Sequence, residues 1–144
     1  MKKITLQVQN QFPIQNKQLL LDWLSDCVLL LDKQIGEIHI ALMDDEELLA
    51  LNQKHLNHNY YTDVITFDYS TTNTLNCDVA VSTDRVTENA NTEGISIENE
   101  LARVMIHGIL HCVGYSDKTP QDTLIMRQKE DEMLKRFHVE HKSY

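Results

Sequence analysis

Two imidazoles one helical turn apart, followed by a glycine and then an aspartate, are the residues of this chain best placed to do chemistry. They lie in the run His107-Gly108-Ile109-Leu110-His111-Cys112-Val113-Gly114-Tyr115-Ser116-Asp117. Upstream and within it, apolar residues at Ile97, Leu101, Val104, Met105 and Ile109 recur with a helical period, so the spacing predicts one helix ending near Gly114. Positions four apart share a helix face, which lets His107 and His111 offer ring nitrogens to one ion. A glycine at 114 can take the left-handed conformation that closes a helix and brings Asp117 back toward the pair. Two nitrogens and a carboxylate oxygen leave a coordination position open, as catalytic zinc sites do and closed structural sites do not. The plainer reading of the same residues is two polar positions on a half-buried helix, an ordinary C-cap and a turn aspartate. In the HExxH arrangement of metalloproteases a glutamate follows the first histidine as general base; here that residue is Gly108, which argues against proteolysis.

The run resembles the HGxLHxxGxxH pattern of the bacterial YbeY family, and the resemblance extends upstream. Thr62-Asp63-Val64-Ile65-Thr66-Phe67 is similar to the family's T-D-V-L-S-F strand, Cys77-Asp78-Val79-Ala80-Val81-Ser82 to its G-D-I-x-I-S strand, and Leu51-Asn52 to its L-N pair. The resemblance implies a metal-dependent endoribonuclease specific for single strands, acting in late maturation of ribosomal RNA at the 16S 3′ end and in ribosome quality control. It further implies one zinc or other divalent ion per chain held by His107, His111 and Asp117, and a partner in single-stranded ribosomal RNA or the small ribosomal subunit. Two positions depart from the family pattern: Asp117 stands where a third histidine is usual, and Leu56 where an arginine associated with activity is usual. A carboxylate oxygen is an accepted zinc ligand, though it adds negative charge. A guanidinium grips phosphate in two places, so its loss calls for another cation. Candidate helpers are Lys54, His55 and His58 in the same segment and Arg85 after the second matched strand. Two other functions fit the motif: a zinc hydrolase of a small molecule or peptide, and a non-nucleolytic ribosome assembly factor with a structural metal site.

A chain of 144 residues, 42% hydrophobic and 24% charged, is expected to form one soluble domain spanning 1–144 with its own core. No apolar stretch approaches membrane-spanning length, and the start alternates polar and apolar residues, so the expected location is the cytoplasm with no membrane partner. Three cysteines, Cys27, Cys77 and Cys112, with no CxxC pair fit reduced thiols, and Cys112 fits core packing. The net charge of −9 runs against a simple nucleic-acid binder. A metal ion with Lys54, Arg85 and Lys118 around one cleft would reconcile it, with weak affinity for free RNA and substrate delivery by a larger partner.

The elements that must position the run follow from period and punctuation. Strands are predicted at 4–8, 37–42, 64–69 and 77–82, the last two as an antiparallel hairpin across 70–74. Helices are predicted at 17–31 with Trp23 in the core, from Asp44 to about 51 with Glu47 completing a capping box, and at about 84–91. Ser96 is the expected cap of the metal helix, and Thr119-Pro120-Gln121-Asp122 opens a last helix to about 137. Residues 55–63 read as a polar loop, His39 as a sheet-surface residue, and His138 and His141 as solvated tail residues. Asp63 and Asp78, at the edges of the matched strands, are candidates to orient the ligands. The expectation is an α+β fold with a mixed sheet of about four strands and the metal helix packed on it.

Overall fold

The computed structural model describes residues 2–142, with side chains through Phe137; the side chains of His138 and His141 lie outside the described residues. The elements run β1 (Lys3–Val8), α1 (Lys17–Leu30), β2 (Gln34–Met43), α2 (Asp45–Leu56), β3 (Val64–Asp68), β4 (Thr74–Ser82), α3 (Thr83–Glu93), α4 (Ile97–Val113) and α5 (Pro120–Lys142). The sheet order is β1-β2-β4-β3. β1 and β2 are parallel, as are β2 and β4, while β3 runs antiparallel to β4 at the edge. This is the mixed four-stranded α+β arrangement that the sequence predicts, with β3 and β4 as the antiparallel pair.

Alternation along the strands separates two faces. Ile38, Ile40 and Leu42 of β2 and Leu75, Cys77, Val79 and Val81 of β4 point into the main core, where they meet Trp23 and Leu24 of α1 and Met105, Ile106 and Ile109 of α4. Trp23 is fully buried and donates its indole N–H to the Met133 carbonyl at 2.9 Å, tying α1 to α5. Among the described residues the opposite face carries α2, whose Leu48 packs on Met43, Ile65 and Ala80. His39 stays exposed on that face, with Nδ1 2.6 Å from the Thr5 hydroxyl.

Helix boundaries follow local chemistry. Asp44 and Glu47 form the reciprocal capping box, and Ser96 accepts from the Asn99 N–H to start α4. Gly114 ends α4 at φ +117°, its N–H donating to the carbonyls of Leu110 and His111. Two predicted helix ends differ by more than two residues. α2 continues through His55 and Leu56 until Asn57 takes the left-handed conformation at φ 56°, so the polar loop begins two residues later than its composition suggests. The last helix continues to Lys142 rather than stopping near residue 137. No described helix is long and apolar enough to cross a membrane.

Gly108 is the point at which α4 presses closest to the sheet. A Cβ built there would lie 2.8 Å from Val79 Cγ1 and 3.2 Å from Thr66 Oγ1. Val79 is itself buried in β4 and has nowhere to retreat. Gly108→Ala is therefore expected to destabilise the fold by about 1–3 kcal/mol through overpacking, outweighing the roughly 1 kcal/mol that alanine gains over glycine in a helix. Thermal unfolding should show the midpoint falling by several degrees; an unchanged or raised midpoint contradicts the close approach.

Candidate metal centre

His107 and His111 project from the last two turns of α4, and the chain reverses at Gly114 and returns through Ser116 to set Asp117 against them. One ligand atom from each residue lies within 4.8 Å of the others. His107 Nε2 and His111 Nε2 are 3.1 Å apart, and Asp117 Oδ2 is 3.5 Å from the first and 3.4 Å from the second. Nitrogen and oxygen ligands at roughly 2.0–2.2 Å from one tetrahedral centre would stand about 3.3–3.6 Å from each other. The donor set therefore fits a small divalent ion, and all three residues line the same cleft.

The ring of His107 is oriented from behind. Its Nδ1 sits 2.6 Å from Oε2 of Glu130, a buried residue of α5. An ionised carboxylate only accepts, so Nδ1 carries the proton and the Nε2 lone pair points to the ligand cluster. Glu130 is itself fixed by Arg103, which donates to Oε1 at 2.8 Å and to Asp131 at 2.7 Å. Burial disfavours charge on both His107 and Glu130 and is the largest single influence, but their mutual hydrogen bond and the surrounding charges together outweigh it. His107 is held above the usual imidazole range, helped by Asp63 and Asp117, and Glu130 below the usual carboxylate range, helped by Arg103. No sequence motif marks Glu130, yet one signal exists: it occupies the apolar stripe Met126, Met133, Leu134, Phe137 of α5, where a carboxylate needs a buried partner.

The ligands open on a cleft of about 480 Å³ bounded by the end of α2, the 57–63 loop, β3 and α4. Asp63 lines both this cleft and a smaller cavity behind His107, and burial pushes its carboxyl above the usual range while His107 opposes that shift. Leu56 and His58 also line the cleft. The other helpers suggested by sequence are placed elsewhere. Arg85 is engaged by Asp45 through Nε and Nη2 and lies near the Tyr61 ring. Lys54 lines a separate depression with Gln9, Met43 and Glu47, and His55 lines the open face of the sheet, edge-on to Phe67. Asp78 faces that same open side, and Lys118 is exposed outside the cleft lining. The idea of a cleft ringed by Lys54, Arg85 and Lys118 is thus corrected: sequence proximity to β3 and β4 does not determine the face on which a side chain emerges.

Fold and site together define an α+β domain with a His/His/Asp group at the end of a helix that is able to hold a metal ion. The model of the family described as Endoribonuclease YbeY matches residues 4–138. A Flavobacterium psychrophilum protein named Endoribonuclease YbeY is 46% identical over 136 residues, covering 94% of this chain and 97% of its own. One of the same name from Bacteroides thetaiotaomicron is 37% identical over 132 residues, covering 91% and 96%. The solution structure of a Thermotoga maritima protein superposes with a TM-score of 0.69 at 26% identity, over 97% of this chain and 92% of that one. The chain belongs to the endoribonuclease YbeY family.

Proposed function

We propose that this chain is a metal-dependent endoribonuclease that cuts single-stranded RNA in its cleft, with ribosomal RNA of the small subunit as the substrate. The observation that carries the reading is the convergence of His107 Nε2, His111 Nε2 and Asp117 Oδ2 at the open mouth of one cleft, in a family whose members bear the endoribonuclease name. These three atoms would hold the ion, and zinc suits their nitrogen and oxygen character. When bound, a divalent ion supplies Lewis acidity to a phosphoryl oxygen and acidifies a coordinated water. Glu130 keeps the His107 ring in its donor tautomer, and Asp63, half-buried in the cleft wall with its pKa raised by burial, would be the carboxyl there to hold or release a proton. Gly108, packed against Val79, offers no base in the position a peptidase requires. Three buried cysteines outside any disulfide suit a reducing cytoplasm, where ribosomal RNA is matured.

The test is incubation of the metal-loaded chain with small-subunit ribosomal RNA fragments in single-stranded form and annealed to a complement. The reading expects internal cuts in the single strand, with the duplex at least tenfold slower. Intact RNA from fully metallated protein would favour a hydrolase of another substrate or a non-nucleolytic assembly factor.

A further inference from the structure

The cleft is short of cations. Its described lining contains no lysine or arginine, and the whole chain carries a formal charge of −9. Two guanidiniums line the adjoining cavity behind His107. Arg103 is held there by Glu130 and Asp131, and Arg127 leans toward Glu130 at 3.8 Å. A nucleic-acid strand entering the cleft meets few groups able to neutralise its phosphates. It meets a pair of stacked rings instead. Tyr60 and His58 lie with centroids 5.1 Å apart and planes 23° apart, linked by a 3.0 Å hydrogen bond between the Tyr60 hydroxyl and His58 Nδ1. Both line the cleft that holds His107, His111 and Asp117.

Tyr60 is 55% exposed, so much of its ring is open to solvent. The segment that presents it is nevertheless anchored. Asn52, only 1% exposed near the end of α2, donates from Nδ2 to the Tyr60 carbonyl at 3.0 Å, and its main-chain carbonyl accepts from the His58 N–H at 3.1 Å. One buried residue, through its side-chain amide at Tyr60 and its main-chain carbonyl at His58, therefore holds the backbone at both rings, and the surface they form is preorganised.

We propose that Tyr60, backed by His58, is a base-stacking platform that grips a nucleobase beside the metal ligands, so that this cleft holds single-stranded RNA by its bases more than by its phosphates. The proposal rests on the endoribonuclease reading and names how that site recognises its substrate. Every base has a π-face, so the grip tolerates any sequence. It requires an unpaired base, because bases inside a duplex are already stacked and cannot reach the ring. Strand selectivity then comes from stacking, without a basic groove.

The test uses the metal-loaded full chain and a short single strand with 2′-O-methyl sugars, confirmed intact by gel after each titration, with binding followed by fluorescence anisotropy. Tyr60→Ala is expected to weaken binding about 5- to 150-fold, the range of losing one stacked base. Tyr60→Trp should retain it, and an abasic strand should bind the wild type as weakly as the intact strand binds Tyr60→Ala. Between 50 and 200 mM salt the wild-type Kd should change less than about threefold, whereas three phosphate contacts on a single strand would change it about eighteenfold. In cleavage assays Tyr60→Ala should raise KM with kcat nearly unchanged. Equal binding by the abasic strand, unaltered Kd and KM in Tyr60→Ala, or a steep salt slope lost in Arg127→Gln would each overturn the proposal, as would absence of wild-type binding. Binding that depends on Tyr60 without cleavage would sustain the platform and sink the nuclease reading. Cleavage indifferent to Tyr60 would do the reverse.

Discussion

His111→Ala is expected to abolish RNA cleavage and to weaken divalent-ion binding by more than the 10- to 100-fold typical of losing an outer-shell partner, since it removes one of the ligand atoms themselves. The side chain is about one-third exposed at the end of α4, so its truncation opens no large cavity and the fold should survive. That separates loss of chemistry from loss of structure. Asp117→Asn keeps an oxygen in place but removes its charge, and should fall between wild type and His111→Ala in ion affinity. Titration calorimetry with zinc, circular dichroism and RNA cleavage on the three proteins check the series. Full cleavage by a folded His111→Ala protein would contradict the assigned role.

Glu130→Ala should produce the second-largest effect, and in two measurements at once. Its carboxylate sits between Arg103 and the His107 ring with 3% of its surface exposed. Removing one partner of a buried ion pair leaves the other uncompensated, which typically costs 3–5 kcal/mol; Arg103 retains Asp131, so about 3 kcal/mol is expected. Loss of the orienting hydrogen bond should also lower ion affinity about 10- to 100-fold at alkaline pH. The pH dependence carries a sign that simple misfolding would not produce. In the wild type Glu130 raises the His107 pKa, so protons compete with the ion up to a higher pH than at an ordinary histidine. Without the carboxylate that competition retreats to lower pH, and the curve of affinity against pH should shift to the acid side while its plateau falls. An unchanged plateau in a folded variant would show that Glu130 does not orient His107.

The parts of this site that could be read from sequence are those set by local rules. His107 and His111 share a face because a helix repeats every 3.6 residues, and Gly114 closes that helix because only glycine takes φ +117° cheaply. The cap at Ser96 and the opening at Thr119-Pro120 are equally local. Glu130 was missed because its partners, Arg103 and His107, lie on another helix and 23 to 27 positions away. Composition cannot reveal such a pairing, although a carboxylate in an apolar stripe hints at it. Of the suggested helpers His58 does line the cleft, whereas Arg85 does not, for a related reason: it follows β4 as expected, but Asp45 at the start of α2 captures its guanidinium. The extra turn of α2 was hidden by the polar look of His55 and its neighbours, while the cue for its end was Asn57, a residue type that tolerates the left-handed cap. His58 and Tyr60 read separately as loop residues, and only the fold shows them as one stacked surface.

The central claim is that His107, His111 and Asp117 form a metal centre on which RNA cleavage depends. The most direct measurement is metal content by mass spectrometry of the purified chain, with cleavage of single-stranded ribosomal RNA followed before chelation, after chelation and after metal is restored. The account predicts about one divalent ion per chain, cleavage lost on chelation and recovered when the ion returns. Cleavage that persists in a demonstrably metal-free chain, or a chain that takes up no ion at these residues, would contradict it.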